Sequence, residues 1–225
     1  GEVAGPPLIT AVDAFDFDPT KIPVRPWLVP GLLIRKATHV LVAPGGSGKS
    51  LFNLQQAIML ATGMQWGEWK PRSRYRSLVI NAEDDIDEQR RRLAAALKVM
   101  NPPRHLLDGM VHLADDPHSL VVVRVDPRSR QMITTPMADA ITAYVREHKI
   151  DVLIVDPFAE TFEGDENSNS EIKWAMKVWR DIARDTDCSV ILVHHTVKYA
   201  SGGAGNADIV RGGGAIVNST RISAT

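Results

Sequence analysis

The chain has 225 residues, 44% hydrophobic and 24% charged, with 26 Lys and Arg against 27 Asp and Glu. This is ordinary globular composition for one α/β domain. A formal net charge of −1 excludes a polybasic arm as the main source of nucleic-acid affinity, though not a local basic loop. No apolar run approaches the roughly 20 residues of a membrane helix, and the opening GEVAGPPLIT lacks the layout of a signal peptide. A single cysteine, Cys188, allows no intrachain disulfide, so a cytoplasmic protein is expected.

Residues 1–30 carry prolines at 6, 7, 19, 23, 26 and 30, a density that predicts an extended lead-in to a core spanning 31–225. Thr38–Ala43 reads as a buried strand. Gly48–Thr62 reads as a helix with Leu51, Leu54, Ile58 and Met59 in one stripe. A strand at Ser77–Ala82 and a helix at Ile86–Met100 follow. Val121–Val125 and Met132–Thr134 flank DPRSRQ as a hairpin, and Thr135-Pro136 opens a helix to about His148. Asp151–Asp156 is a buried strand, Glu171–Thr186 the most clearly amphipathic helix, and Ser189–His194 a further strand. Near-continuous apolar strands alternating with helices predict an α/β fold, a mostly parallel twisted sheet with helices on both faces.

The strongest motif is APGGSGKS, Ala43–Ser50, which has phosphate-loop spacing except that Ala43 stands for the first glycine. Gly45, Gly46 and Gly48 let backbone N–H groups turn inward around an anion, and the following helix adds its positive end. The expected nucleotide contacts are Pro44, Gly45, Gly46, Ser47, Gly48, Lys49, Ser50 and Leu51. Lys49 reaches the β- and γ-phosphates of ATP, and Ser50 ligates Mg²⁺. Asp156, ending the apolar strand VLIV, is the expected second metal carboxylate. Glu83 closes the strand SLVINA and could polarise the attacking water as catalytic base, while Asp84 or Asp85 could cap the next helix. His194 and His195 end a strand, and alternation lets only one face the nucleotide, where it could sense the γ-phosphate. No Cys or further His lies near enough to suggest zinc.

Other features have plainer readings. Arg90–Arg92 look like a solvated basic face, with Asp87 set four before Arg91. Trp66 and Trp69 read as loop anchors, Trp179 as core and Cys188 as a packed small residue. FEGDENSNSE reads as a solvated loop with a cap for the next helix.

Taken in order, the phosphate loop, AED, IVDPF, LVHHTVK and RGGGAIVNSTR resemble the RecA-like P-loop ATPases of the RepA type, hexameric replicative helicases of plasmids and phages. The resemblance covers about residues 25–225, including RPWLVPGLL before the loop. It implies a RecA-like P-loop NTPase fold and ATP hydrolysis at the subunit interfaces of a homo-oligomeric ring moving on single-stranded DNA. It implies that His195 is the γ-phosphate sensor and Arg221 an arginine finger for the neighbouring subunit. Arg92 and Lys198 also match family positions. The glycine-rich loop 198–211 would line the central channel, with Lys198 and Arg211 for phosphates, Tyr199 for stacking and Asn206 for a hydrogen bond. Gly212–Gly214 departs from the Gly-Ser-Ser type sequence usual there. The chain ends four residues after Arg221, so a core truncated at its C-terminus is expected. The alternative reading is a nucleotide-dependent switch or recombination mediator that binds DNA or protein without unwinding.

Overall fold

The computed structural model describes residues 11–44, 46–115, 119–165, 168–196 and 222–224. In chain order the strands and helices are β1 (Trp27–Val29), β2 (Leu33–Ile34), β3 (Ala37–Pro44), α1 (Lys49–Thr62), β4 (Ser77–Asn81), α2 (Ile86–Met100), β5 (Val111–Ala114), β6 (Val123–Val125), β7 (Met132–Thr134), α3 (Pro136–Glu147), β8 (Val152–Asp156), β9 (Phe162–Glu163), α4 (Asn169–Asp185), β10 (Ser189–Thr196) and β11 (Ile222–Ala224). Every strand and helix read from the periodicity is present within one or two residues.

Six strands form the central sheet in the order β11-β3-β10-β8-β4-β5, and every pairing is parallel. Helices cover both faces, the only arrangement that buries a parallel sheet. One face carries Val40, Val42, Leu78, Ile80, Leu153, Val155, Val190 and Leu192 against α3 and α4. The other carries Val79, Val152, Ile154, Ile191 and Val193 against α1. Because side chains alternate along each strand, this division also fixes which face the residues at the strand ends project from.

Five of the described strands, β1, β2, β5, β9 and β11, were not anticipated. A hairpin, β1–β2, sits at the expected boundary near residue 30. Its turn places Pro30 before Gly31, which has φ +77°, and Leu32 N donates to the Val29 carbonyl at 3.0 Å. That is type II turn chemistry, in which proline presets the first corner and glycine takes the second. Leu28, Val29, Leu33 and Ile34 are buried, so the proline density conceals a packed hairpin. Strand β5 extends the sheet beyond β4, and β9 joins the β6–β7 hairpin into a small sheet ordered β7-β6-β9. Among the described residues no helix is long and apolar enough to cross a membrane.

Candidate nucleotide site

Strand β3 ends at Pro44 and the chain turns through Gly46 and Gly48, at φ +74° and +86°, into α1. L-residues with a Cβ resist this left-handed backbone. A Cβ built at either glycine would meet nothing within 4 Å, so backbone conformation and not crowding demands glycine there. The room beside the turn faces the amino end of a 14-residue helix, which suits an anion. Lys49 is the first residue of α1 and only 6% exposed. Its Nζ donates to the Pro44 carbonyl at 2.7 Å, folding the side chain back across the loop. Burial lowers the pKa of this ammonium, while the nearby Asp156 and Glu83 carboxylates act to raise it.

Asp156 ends β8 on the α1 face, in phase with Val152 and Ile154. It is 1% exposed. Its Oδ2 accepts from Ser50 Oγ at 2.9 Å and from Asn53 Nδ2 at 3.1 Å. Its Oδ1 is buried without a hydrogen-bond partner, and His195 Nε2 lies 3.7 Å away. A buried carboxylate oxygen lacking a donor, next to a serine hydroxyl, is the hard-oxygen donor set that suits Mg²⁺. Strand β10 runs between β3 and β8, and His195 pairs in register with Ala43. His195 is in phase with Ile191 and Val193 on the α1 face, whereas His194 follows Leu192 onto the other face near Phe158, 6.5 Å between ring centres. Strand parity therefore brings the second histidine of the pair to the loop.

The acidic run after β4 divides into three environments. Asn81 projects from the α1 face in phase with Val79, and its Oδ1 accepts from Glu83 N at 2.8 Å and Asp84 N at 2.7 Å. That clamp turns the chain so that Glu83 is exposed beside the loop. Asp84 is half-buried and takes Arg92 Nη2 at 3.0 Å; burial raises its carboxyl pKa, partly offset by Arg92. Asp85 caps α2, accepting from Glu88 N at 2.7 Å. Ser50, Asn53, Asn81, Asp84, Arg92 and Asp156 line one crevice at the carboxyl ends of the strands, where open α/β sheets bind ligands.

The family model described as AAA domain matches residues 6–201. The chain belongs to the AAA domain family. No curated protein matches it. Membership makes this AAA domain a nucleotide-binding ATPase, and its parallel sheet and loop give it the RecA-like P-loop NTPase fold expected from the sequence.

Of the residues singled out in this AAA domain, Pro44, Gly46, Ser47, Gly48, Lys49, Ser50, Glu83, Asp156 and His195 gather at one end of the sheet. Leu51 is at the surface, 37% exposed. Gly45, Lys198, Tyr199, Asn206, Arg211 and Arg221 lie outside the described residues. The basic run needs correcting in two respects. Arg90 pairs with Asp87 and Arg91 with Glu88, each three residues apart, so the expected Asp87–Arg91 pair is absent. Arg92 is not simply solvated but reaches Asp84 and Glu88 from the crevice wall. Asn53, Asn81 and Gln89 were missed. Asn53 follows Ser50 by three, the spacing that puts two helical residues on one face. Gln89, 2% exposed, donates to the carbonyls of Asp84 and Ala114 and pins α2 to β5.

Proposed function

We propose that this AAA domain is a Mg²⁺-dependent ATPase of the RepA helicase type, hydrolysing ATP at the subunit interfaces of a hexameric ring that moves on single-stranded DNA in the cytoplasm. The observation that carries the reading is the meeting of Lys49, Ser50 and Asp156 at the carboxyl ends of β3 and β8, with Glu83 held nearby by Asn81. Lys49 exchanges its bond to the Pro44 carbonyl for the phosphates, a small movement because its ammonium already lies over the loop. Ser50 Oγ and Asp156 would hold Mg²⁺, which when bound neutralises charge on the phosphate oxygens. Glu83 orients water for in-line attack and receives its proton. His195, within reach of Asp156, reports on the γ-phosphate and passes that signal along β10 into the loop at 198–211. Arg221 of a neighbouring copy supplies the last positive charge, and Lys198, Tyr199 and Arg211 contact DNA.

The test is ATP turnover with and without single-stranded DNA, together with strand displacement. Lys49→Ala should abolish nucleotide binding. Glu83→Gln should keep binding and lose turnover by at least 100-fold, the scale of general-base catalysis. Undiminished affinity in Lys49→Ala would remove the phosphate-loop assignment. Turnover without strand displacement would favour the switch or recombination-mediator reading, to which the net charge of −1 lends some support.

A further inference from the structure

Two surfaces among the described residues expose groups that the nucleotide crevice does not use. The first is the outer face of α4. The inner face buries Ile172, Ala175, Met176, Trp179 and Ile182. At about 100° of rotation per residue, Lys173, Lys177, Arg180 and Arg184 fall within an arc of roughly 60° on the other side. Asp181 serves both Lys177, at 2.8 Å, and Arg184, and surface pairs of this kind contribute little. Lys173 and Arg180 have no carboxylate at ion-pair distance among the described residues. Trp174, 38% exposed, stands at the edge of the stripe with the Lys177 ammonium 5.9 Å from its ring centre.

The second surface is the chain ahead of β1. Val12, Phe15 and Phe17 are 86%, 91% and 55% exposed, interleaved with Asp13, Asp16 and Asp18. The bonds here are local, Phe15 N to Asp13 and Thr20 N to Asp18. Two phenyl groups this exposed in a row are costly unless something covers them.

We propose that residues 12–18 of one copy dock on the α4 face of a second copy, with Phe15 and Phe17 against Trp174 and the Lys177 stem, and Asp13 and Asp16 against Lys173 and Arg180. The proposal rests on the ring reading and names one of its contacts. Charge complementarity selects this occupant: an acidic, aromatic segment meets a cationic stripe bearing an exposed indole. Exposed aromatics and exposed cations on the same chain are both satisfied by one head-to-tail contact, the heterologous kind that closes rings. Reach is sufficient. From Val12 to Trp27 the chain could span at most about 50 Å, and its short turn at Pro19–Lys21 shortens this by only a few ångströms, which still leaves more than the radius of a domain this size. A nucleic acid would also accept the cations, but it would leave Phe15 and Phe17 uncovered.

The test uses full-length chains. One carries Phe17→Cys, the other Trp174→Cys. Cys188 does not compete, because it is buried and its thiol is pushed up to about 11. Mixed under mild oxidation with Mg²⁺ and ATP, the two should form a disulfide-linked pair. Adding Lys173→Glu and Arg180→Glu to the Trp174→Cys chain should lower the yield at least 10-fold. Asp13→Lys with Asp16→Lys in the other chain should restore it. All these positions are at or near the surface, and circular dichroism checks that the variants fold. Absence of the linked pair in an assembly whose mass is that of a ring overturns this contact and leaves the ring standing. Absence together with a monomeric mass overturns both. A yield indifferent to charge reversal overturns the proposal, and so does loss of labelled oligonucleotide binding on charge reversal in chains that never cross-link.

Discussion

His39 sits in β3, 5% exposed, with Nε2 3.4 Å from both the N and the O of Ile34 and a buried Nδ1 that has no partner. Burial drives its pKa from 6.5 to about 4, because charging the ring there would strand a cation inside the sheet. In the unfolded chain the same imidazole titrates near 6.5. Between those values the unfolded state binds more protons, so stability falls as pH drops from about 6.5 towards 4. The full cost is about 3 kcal/mol. Urea unfolding at a series of pH values should show this decline in the native chain and a shallower one in His39→Gln. Matching profiles would mean that His39 is not the group responsible. Nothing in THVLVA marks His39 as buried and neutral, since a lone histidine in an apolar run has no spacing to give it away. Asn53 and Asn81 were opaque for a related reason. Their roles lie in orienting Asp156 and Glu83, and amides that act through a neighbour leave no motif. That Lys49, Ser50 and Asp156 lie together was legible because the phosphate and metal chemistry proposed for them restricts both their type and their spacing.

At the scale of elements, the acidic run EDD shows how adjacent carboxylates acquire separate tasks. Asp85 belongs to α2 as its cap, Asp84 lines the crevice, and Glu83 is exposed beside Lys49. Asp85→Ala should therefore cost about 1 kcal/mol of stability, the usual value of a lost cap. ATP turnover should be unchanged, the reverse of the pattern expected for Glu83→Gln. Thermal unfolding and a turnover assay on the two variants separate them; an Asp85→Ala protein of native stability would discount the cap. Elements with periodicity were readable in advance, α4 most plainly. Those missed are short and lack it. Strand β5, VHLA, is four half-buried residues with a polar His112, and β9 has only two residues. The β1–β2 hairpin is held by a Pro-Gly turn amid prolines that argue locally for an extended chain, and only tertiary burial of Leu28 and Leu33 reveals it. The choice of His195 over His194 could be narrowed by alternation but needed the packing of β10 to settle which face meets α1.

At the scale of the whole molecule, the question is whether one chain holds a complete site. Lys49, Ser50, Glu83, Asp156 and His195 converge within one chain, but the proposed finger, Arg221, follows a long glycine-rich stretch and would act on a neighbour. That division has a consequence a self-contained site lacks. A Lys49→Ala chain has no working phosphate loop but keeps its finger; an Arg221→Ala chain keeps its loop and lacks the finger. Each alone should bring turnover down by the ~10³ or more that a finger contributes in related switch enzymes. Mixed in equal amounts, they should recover activity, because a heterologous interface pairs the loop of one with the finger of the other. Random assembly puts an intact loop opposite an intact finger at about one quarter of interfaces, so turnover should rise towards about a quarter of the native rate. Recovery should also require assembly, and disappear on dilution below the concentration at which the proposed ring would form. A mixture as inactive as its parts would show that Arg221 does not serve a neighbouring site.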